Sequence, residues 1–387
     1  MQTHRTTRVA LVVPHIYMNQ KILPDVIFSP AELAITLANG LAEYDVDVTL
    51  FSPGPVKTSV KNITADLSLF EAELAGRGDT YADLLKKHPF TFVTLARQVQ
   101  AELISAAYTA ANSGEYDIVH VYTNEEDIAM QFAGLCMVPM VFTHHDPFNF
   151  LVKYKAIFPK FTNLNWISIS MSQRQTMPTD TNWVGNVYHG INPGDYSVIE
   201  SNMVEPYVAY CGRIVEPKGV HLAIKAVQKY NQENNTKLRL KIAGKHYGGA
   251  GKDSYWHDVI EPMLGDDIEY VGFISDKNMK NEFLGRATAL MMPSVFDEPF
   301  GLVMIEALSS GTPIIGLNSG AIPEVVDEKT GIVVEKYTDE NKVVADMVVA
   351  ISEIGKLSSA DCRARFIENF TAKKMCQNYS QIYHKTI

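Results

Sequence analysis

The fold of this chain is decided by residues 293–313, PSVFDEPFGLVMIEALSSGTP. The apolar run Ala289–Met292 just before it predicts a buried strand. A turn around Glu298 follows, and residues 301–310 then predict a helix that a glycine and a proline end. A strand that leads through a turn into a helix N-terminus is where open α/β sheets bind phosphorylated ligands. The stretch therefore predicts an α/β domain with a ligand site at this turn.

Two carboxylates occupy unusual places in this stretch. Glu298 lies in the turn itself, and Glu306 lies in the middle of the helix with apolar residues on both sides. A carboxylate on so apolar a helix is costly to bury unless it accepts hydrogen bonds. Hydroxyl groups of a sugar or a ribose would supply those bonds. The alternative is a surface turn followed by a helix glutamate that pairs with a basic residue.

The whole string is more specific than the two glutamates alone. It resembles the Glu-x7-Glu signature of the retaining nucleotide-sugar glycosyltransferases of glycosyltransferase family 4, with Glu298 and Glu306 as its two acidic positions. The resemblance implies an α/β protein of GT-B architecture. Two Rossmann-like parallel-sheet domains then face each other across a cleft, and a C-terminal helix crosses back to the first domain.

Length and composition agree with such a protein. A chain of 387 residues exceeds one ordinary core and predicts two domains. Its net charge of −10 argues against a nucleic-acid partner, because phosphate neutralisation needs a basic face. The four scattered cysteines predict reduced thiols in a cytoplasmic protein. No apolar run approaches the roughly 20 residues of a membrane span.

Alternating strand and helix patterns divide the chain into two parts. Residues 1–192 predict an acceptor-side Rossmann-like domain, completed by a crossover helix at about 371–387. Residues 193–206 predict a linker, and residues 207–370 predict the domain that binds the nucleotide-sugar donor. Strands of the first domain are expected at Val9–Val13, Asp45–Phe51, Tyr116–Tyr122, Val138–Phe142, Trp166–Ser170 and Val184–His189. Strands of the second are expected at Tyr207–Cys211, Leu238–Ala243, Ile268–Val271, Ala289–Met292, Pro313–Leu317 and Gly331–Val334.

The first domain offers a histidine pair after a predicted strand. His145 aligns with the histidine that family members place beside the transferred sugar, and His144 is the second choice. The alternative is a histidine that caps the strand by bonding to backbone. With Asp146, these residues are candidates for the acceptor side. Glu32 is another, because Ser29–Glu32 (SPAE) matches the family's Gly-Gly-x-Glu turn, although both glycines are missing here.

Two further segments of this domain allow a functional and a plain interpretation. Asp45-x-Asp47 has the form of a metal-binding pair, but it alternates with strand residues, and we interpret it as a solvated strand edge. Lysines and aromatic residues alternate from Phe148 to Phe161. They fit an acceptor groove or a membrane-touching patch, and we favour a partly solvated amphipathic segment.

A basic motif opens the second domain. Gly212 and Arg213 end a predicted strand, and Lys218 precedes a helix predicted at Val220–Tyr230. An arginine fork and a lysine charge beside a helix N-terminus suit a diphosphate. Lys245 ends another strand that is expected to face the same cleft. The glycine-rich loop 248–252 is not a P-loop, because the required glycine and Ser/Thr are absent.

The resemblance implies a role for each of these residues. Arg213 and Lys218 neutralise the donor diphosphate, with Gly212 and Lys245 beside it. Glu298 holds hydroxyls of the transferred sugar, and Glu306 grips the ribose. His145 orients the sugar or supports its oxocarbenium-like state. Backbone N–H groups of three residues assist Glu298: Phe300, Gly301 and Leu302.

The predicted function is therefore a retaining hexosyl transfer without an obligatory metal or cofactor. The donor is a nucleotide-diphosphate sugar, with UDP- and GDP-hexoses favoured, and the acceptor is a sugar, a glycan, a lipid-linked group or a small molecule. Two alternatives stay open. One is a non-catalytic nucleotide-sugar-binding subunit or sensor, and the other is a nucleotide-sugar epimerase or sugar-phosphate synthase on the same fold. The oligomeric state does not follow from the sequence.

Overall fold

The chain forms two compact units in the computed structural model, which describes residues 6–19, 21–22, 28–199, 206–246 and 254–387. Unit 1 comprises Met1–Tyr188 together with Ala372–Ile387, and unit 2 comprises His189–Thr371. Residues 200–205 of the predicted linker lie outside the described residues, and so does the whole glycine-rich loop 248–252. The described linker residues 193–199 belong to unit 2.

Unit 1 is built on a seven-stranded parallel sheet with the order β3-β2-β1-β4-β5-β6-β7. Its strands are β1 Thr7–Val12, β2 Val46–Ser52, β3 Lys61–Thr64, β4 Ile118–Thr123, β5 Met140–His144, β6 Asn165–Ser168 and β7 Trp183–Asn186. All six residues of β4 are buried, as expected for a parallel strand that helices cover on both faces.

Strand β3 was not predicted, and it corrects the interpretation of the neighbouring acidic pair. Only two residues of β3 are even partly buried, so its sequence carries little strand pattern. Because β3 pairs with β2, the strand that follows Asp45 is interior and not an edge. Asp47 is nevertheless exposed within β2, and Asp45 precedes it in a left-handed conformation with a φ of 56°.

The helices of unit 1 connect these strands. They are α1 Ser29–Gly40, α2 Ser68–Arg77, α3 Tyr81–Lys87, α4 Pro89–Asn112, α5 Asp127–Gln131, α6 Val152–Ile157, α7 Met171–Arg174 and, from the end of the chain, α14 Ala372–Thr386. The region from 66 to 112 is helical as expected. It is divided where Gly78 adopts a positive φ and Thr80 starts α3 with a capping box.

Unit 2 has a six-stranded parallel sheet with the order β10-β9-β8-β11-β12-β13. Its strands are β8 Tyr207–Cys211, β9 Arg239–Ala243, β10 Ile268–Gly272, β11 Ala289–Met292, β12 Ile314–Leu317 and β13 Gly331–Val334. Its helices are α8 Val220–Asn234, α9 Lys277–Gly285, α10 Leu302–Ser309, α11 Ile322–Val325, α12 Glu340–Ile354 and α13 Ser359–Asn369. Two Rossmann-like parallel-sheet domains were predicted, and this prediction is confirmed.

The end of the chain returns to unit 1. A crossover helix was expected at about 371–387, and α14 starts at Ala372, after α13 ends before Phe370. Helix α14 packs against α1, and the Cys376 thiol of α14 contacts the Leu37 carbonyl at 3.8 Å. The predicted crossing of the C-terminal helix is therefore present. None of the helices within the described ranges has the length and apolar character to cross a membrane.

Backbone segments approach closely where the β8 and β9 strands of unit 2 end. A Cβ atom on Gly244 would lie 1.8 Å from the Gly212 carbonyl oxygen, so a side chain cannot fit without backbone movement. We expect Gly244→Ala to destabilise unit 2 by about 1–3 kcal/mol, the usual cost of overpacking. Urea unfolding would measure this change.

The matched control for that substitution is Gly355→Ala. A Cβ at Gly355 meets nothing within 4 Å, and its φ of −65° suits alanine. We expect Gly355→Ala to stay within about 1 kcal/mol of the parent and on the stabilising side. Equal unfolding free energies for both variants would contradict the close approach at Gly244.

Candidate functional site

The two predicted motifs of unit 2 are joined through their backbones. The Pro217 carbonyl accepts hydrogen bonds from the backbone N–H groups of Val295 and Phe296, each at 3.0 Å. Pro217 immediately precedes Lys218, and Phe296 lies two residues before Glu298. The loop that follows β8 and the loop that follows β11 are thus fixed to each other at the carboxyl edge of the sheet.

This backbone contact brings Lys218 and Glu298 into a direct ion pair. The Lys218 ammonium donates to Glu298 Oε1, and both side chains are largely removed from solvent. Lys218 also lies 5.2 Å from the centre of the Phe296 ring. A buried pair of opposite charges is costly to desolvate and stabilises the fold only when it is well bonded. The sequence predicted both residues for the site, and the structure places them in contact.

Gly320, which was not predicted as a site residue, lies against the backbone of Glu298. The Glu298 carbonyl accepts the Ala321 N–H at 2.8 Å. A Cβ atom on Gly320 would lie 2.2 Å from the Glu298 nitrogen, and the φ of Gly320 is +58°. The sequence feature that could have identified Gly320 is its place as a glycine shortly after the predicted strand β12. Only glycine fits this combination of positive φ and close backbone approach.

The remaining cations of the motif differ from Lys218 in their contacts. Arg213 is exposed, and in the described part of the chain no hydrogen bond or ion pair engages its guanidinium; only its carbonyl is bound, by the Tyr210 hydroxyl at 2.7 Å. Lys245 places its ammonium 4.4 Å from the centre of the Phe273 ring. The Gly212 N–H bonds to the Ala243 carbonyl at 3.0 Å. Arg213 is therefore available to an anionic ligand.

Glu306 is buried, as its apolar helix predicted, and a protein group lies against each of its two oxygens. Its Oε1 accepts the Tyr196 hydroxyl at 2.9 Å, and its Oε2 lies 2.6 Å from the Lys280 ammonium. The sequence analysis missed both partners. Tyr196 lies in the segment assigned to a linker, and Lys280 lies on a helix that was not predicted. The alternative of a helix glutamate paired with a basic residue thus describes part of what is observed.

Helix α10 starts at the predicted turn. Its N-cap Gly301 has a φ of 91°, and Leu302 is its first residue. Phe300 is buried and packs edge-on against His189, with 4.9 Å between ring centres. The N-terminal turn of a helix carries N–H groups without helical partners and a partial positive charge. This end of α10 can bind hydroxyl or phosphate oxygens.

The histidine pair of unit 1 lies at the end of β5, and its two members have different surroundings. His144 is the last residue of the strand, and His145 follows it. His144 Nδ1 lies 2.9 Å from Glu126 Oε1, and both side chains are inaccessible to solvent. Burial lowers the pKa of His144 to about 4, and burial together with nearby carboxylates raises the pKa of Glu126 well above its usual value. His144 is therefore neutral at physiological pH and bonds to Glu126 in the interior of unit 1.

The turn after β5 is held from α7. Gln173 donates its amide N–H groups to the carbonyls of His144 and Asp146, each at 2.9 Å. The Asp146 carboxylate accepts the Asn124 amide at 2.8 Å. No sequence pattern indicated this role for Gln173, because a glutamine at the start of a helix usually faces solvent. His145 is thereby fixed at its backbone on both sides.

His145 is 8% exposed and packs edge-on against Tyr122 of β4, with 4.2 Å between ring centres. Glu32 lies in the first turn of α1 and is exposed. Because α1 follows β1 and the histidines follow β5, both belong to the carboxyl edge of the unit 1 sheet. Among the residues with described positions, no three His, Cys, Asp or Glu side chains are grouped to hold a metal ion.

Residues 197–369 match the family described as Glycosyl transferases group 1. The α-maltose-1-phosphate synthase of Mycolicibacterium smegmatis is 27% identical over 211 residues, which are 51% of this chain and 54% of that protein. The chain spans only about a third to a half of the length of the curated relatives it matches. These matches support a transferase.

Solved structures resemble the whole chain. Sucrose-phosphate synthase from Thermosynechococcus elongatus has a TM-score of 0.71 at 19% identity and covers 98% of both chains. The Anabaena protein HepE in complex with UDP and glucose has a TM-score of 0.67 at 14% identity, covering 98% of this chain and all of that one. At such identities the likeness shows the fold alone, which is the predicted GT-B fold.

The buried His189 beside Phe300 predicts a pH dependence of stability. Burial lowers the pKa of His189 to about 3. Its folded pKa lies below the unfolded value of about 6.5, so the unfolded chain takes up the proton first as the pH falls. This group therefore costs stability progressively between pH 6.5 and about 3, by about 1.4 kcal/mol per pH unit.

Replacing this histidine should remove that cost. We expect His189→Asn to lose less unfolding free energy than the parent between pH 6.0 and 4.5, measured by urea denaturation. His257→Asn serves as the control, because His257 is exposed and pairs with Glu261 on its own helical segment. If the unfolding free energies of the parent and of His189→Asn fall equally as the pH is lowered, His189 is not held neutral.

Proposed function

We propose that the chain is a retaining glycosyltransferase that moves a hexosyl group from a nucleotide-diphosphate hexose to an acceptor. The observation that carries the proposal is the contact between Lys218 and Glu298, which joins the two motifs of unit 2 at one edge of its sheet. A cation for the leaving group and a carboxylate for the sugar hydroxyls are thus adjacent. The match of residues 197–369 to glycosyl transferases group 1 supports this assignment.

The diphosphate is assigned to the basic residues. Arg213 is exposed and can direct its planar guanidinium at phosphate oxygens. Lys218 lies five residues later in the same loop. When the bond between the sugar and the phosphate oxygen breaks, negative charge builds on that oxygen. Fixed cations stabilise the charge most in a site that excludes water, and each such donor contributes about 2.7–4 kcal/mol to the transition state.

The transferred sugar is assigned to Glu298 and to the start of α10. The carboxylate accepts sugar hydroxyls, and the N–H groups of the first α10 turn, at Phe300, Gly301 and Leu302, donate to sugar or phosphate oxygens. Binding a ligand requires Lys218 to exchange one Glu298 oxygen for a phosphate oxygen. In the ion pair, the charge of Lys218 and the charge of Glu298 are each matched by the other.

Glu306 is assigned to the ribose hydroxyls. Tyr196 and Lys280 already bind its two oxygens, but a carboxylate oxygen has two lone pairs and can accept a further bond. The protein donors therefore orient the carboxylate and offset its burial. UDP is our leading donor nucleotide, because HepE, which has a similar fold, was crystallised with UDP and glucose. GDP is the second candidate.

We assign His145 of unit 1 to the support of the oxocarbenium-like sugar. The oxygen of the leaving phosphate deprotonates the acceptor hydroxyl on the same face, which retains the anomeric configuration without a protein nucleophile or an obligatory metal. Sugar and sugar-phosphate acceptors are the first to test. Two of the similar proteins, the α-maltose-1-phosphate synthase and the sucrose-phosphate synthase, are synthases of sugar phosphates. The four free cysteines support a cytoplasmic location.

The first experiment is a screen with UDP-, GDP- and ADP-hexoses, with and without a chelator. A donor at 100 times its Kd should stabilise the protein by about 2.7 kcal/mol, which a thermal shift detects. We expect one nucleotide to stabilise it and its sugar to be hydrolysed slowly whether or not the chelator is present. Stabilisation without turnover, with hexose and hexose-phosphate acceptors added, would favour a non-catalytic binding subunit. No stabilisation by any of the three would contradict the proposal.

Separate roles for the two glutamates predict separable defects. Glu306→Gln should weaken the binding of the nucleoside diphosphate alone by about tenfold or more, because a charged hydrogen-bond acceptor is lost. Glu298→Gln should not weaken nucleoside diphosphate binding, because Lys218 no longer has to leave a charged partner, and it should lower turnover by about 10²–10³-fold. Calorimetry and initial rates measure the two effects.

Asp297→Asn is the matched control, because Asp297 is next to Glu298 in the same turn but 66% of its side chain is exposed. Its carboxylate accepts hydrogen bonds from Ser319 and Lys336. We expect Asp297→Asn to retain parental turnover and nucleotide affinity. Parental turnover in Glu298→Gln, or equal losses in both variants, would argue against the assignment of Glu298 to the sugar.

A further inference from the structure

We propose that Tyr122, held from the C-terminal helix by Tyr379, is a positioning residue that fixes the ring orientation of His145. The inference rests on the role that the proposed function gives to His145. Nothing in the sequence patterns pointed to the tyrosines of α14. Their place in the fold gives them a route to the histidine through groups that are all buried within unit 1.

The first link is the contact between Tyr122 and His145. The two rings lie 4.2 Å apart at an interplanar angle of 64°, an edge-on arrangement that aromatic rings favour. Tyr122 is completely buried, so its ring cannot turn without displacing its neighbours. The face of Tyr122 therefore limits the rotation of the His145 imidazole about its side-chain bonds.

The second link joins Tyr122 to α14. Its ring packs edge-on against Tyr379 with 6.2 Å between centres. Burial raises the pKa of Tyr122 well above its usual value, and the neighbouring Tyr379 hydroxyl adds to that effect. Tyr379 thus contacts Tyr122 through its ring. A displacement of the Tyr379 ring therefore alters the packing on which Tyr122 depends.

A chain of polar contacts fixes Tyr379 itself. Its hydroxyl lies 3.3 Å from Thr143 Oγ1, which lies 2.9 Å from His120 Nε2. His120 Nδ1 lies 2.7 Å from the Tyr383 hydroxyl, one turn further along α14. Thr143 precedes His145 by two residues and pairs with Tyr122 across the β4–β5 ladder. The network therefore reaches both the strand that carries His145 and the ring that packs on it.

The network has little freedom to rearrange. Burial lowers the pKa of His120 to about 3, so the ring is neutral and has one N–H and one bare nitrogen. A hydroxyl faces each nitrogen, and a hydroxyl can donate or accept. Loss of the Tyr383 hydroxyl would leave His120 Nδ1 without its partner, and loss of the Tyr379 hydroxyl would remove one of the two partners of Thr143 Oγ1. Lost partners are costly for buried polar groups. The contacts are thus maintained together.

The test uses the full chain and reads the histidine directly. The Cε1–H resonance of His145 is assigned by its loss in His145→Gln. We expect Tyr379→Phe, which keeps the ring and removes the hydroxyl, to shift that resonance. It should also lower kcat by about tenfold or more with donor KM within about twofold, because small misplacements of reacting groups are expensive in rate.

Tyr44→Phe is the matched control. The Tyr44 hydroxyl also bonds to α14, at the Lys373 carbonyl 3.1 Å away, but it lies outside the network. We expect this variant to leave the His145 resonance and kcat unchanged. Tyr122→Leu, which removes the ring contact, should shift the resonance at least as far as Tyr379→Phe does. Thermal unfolding of each variant confirms that the comparison is made on folded protein.

Two results would overturn the inference. One is a folded Tyr379→Phe protein with the parental His145 resonance. The other is a shifted resonance with parental kcat while His145→Gln is impaired, because the orientation would then not matter to the reaction. If His145→Gln turns over at the parental rate, the assigned role of His145 fails. The resonance alone then decides whether Tyr379 orients the ring: a shift supports that link, and no shift removes it.

Discussion

The ion pair between Lys218 and Glu298 is the contact on which the site of unit 2 depends. It exists because the Pro217 carbonyl binds the backbone that follows β11, so two loops far apart in sequence share one position. Each charge of the pair is matched by the other. A ligand that carries both phosphate and hydroxyl groups can replace each partner in kind, whereas phosphate or sugar alone leaves one buried charge unmatched. The pair therefore suits the sugar-diphosphate donor that we propose.

Burial has a different effect in unit 1, where it keeps His120, His144 and Glu126 neutral. Burial lowers the pKa of His144 and of His120, and it raises the pKa of Glu126. Neutral groups in fixed hydrogen bonds form a rigid support, because no change in charge at physiological pH loosens them. His145 lies against this support while His144 is part of it. The two adjacent histidines therefore have different surroundings, because His144 ends β5 and His145 follows it.

The sequence predicted the strands of unit 2 closely, because short apolar runs between glycines and charged turns carry a clear pattern. It did not predict β3, whose residues are mostly exposed and which depends on pairing with β2. It identified Glu298 and Lys218 through motif spacing. It could not identify Tyr196, Lys280 or Gln173, because each meets its partner only through tertiary folding. Residues that act by supporting another side chain leave no local pattern.

The return of the chain at Ala372 has a consequence for how the protein can be divided. The first 188 residues are not a complete folding unit, because the last 16 residues supply a helix that covers α1 and completes the buried bonds of His120 and Thr143. A fragment cut at the boundary between the units would expose an apolar surface and leave polar atoms unpaired. Independent expression of unit 1 requires the C-terminal segment to be joined after Tyr188. Unit 1 is therefore completed only after residues 372–387 have been synthesised.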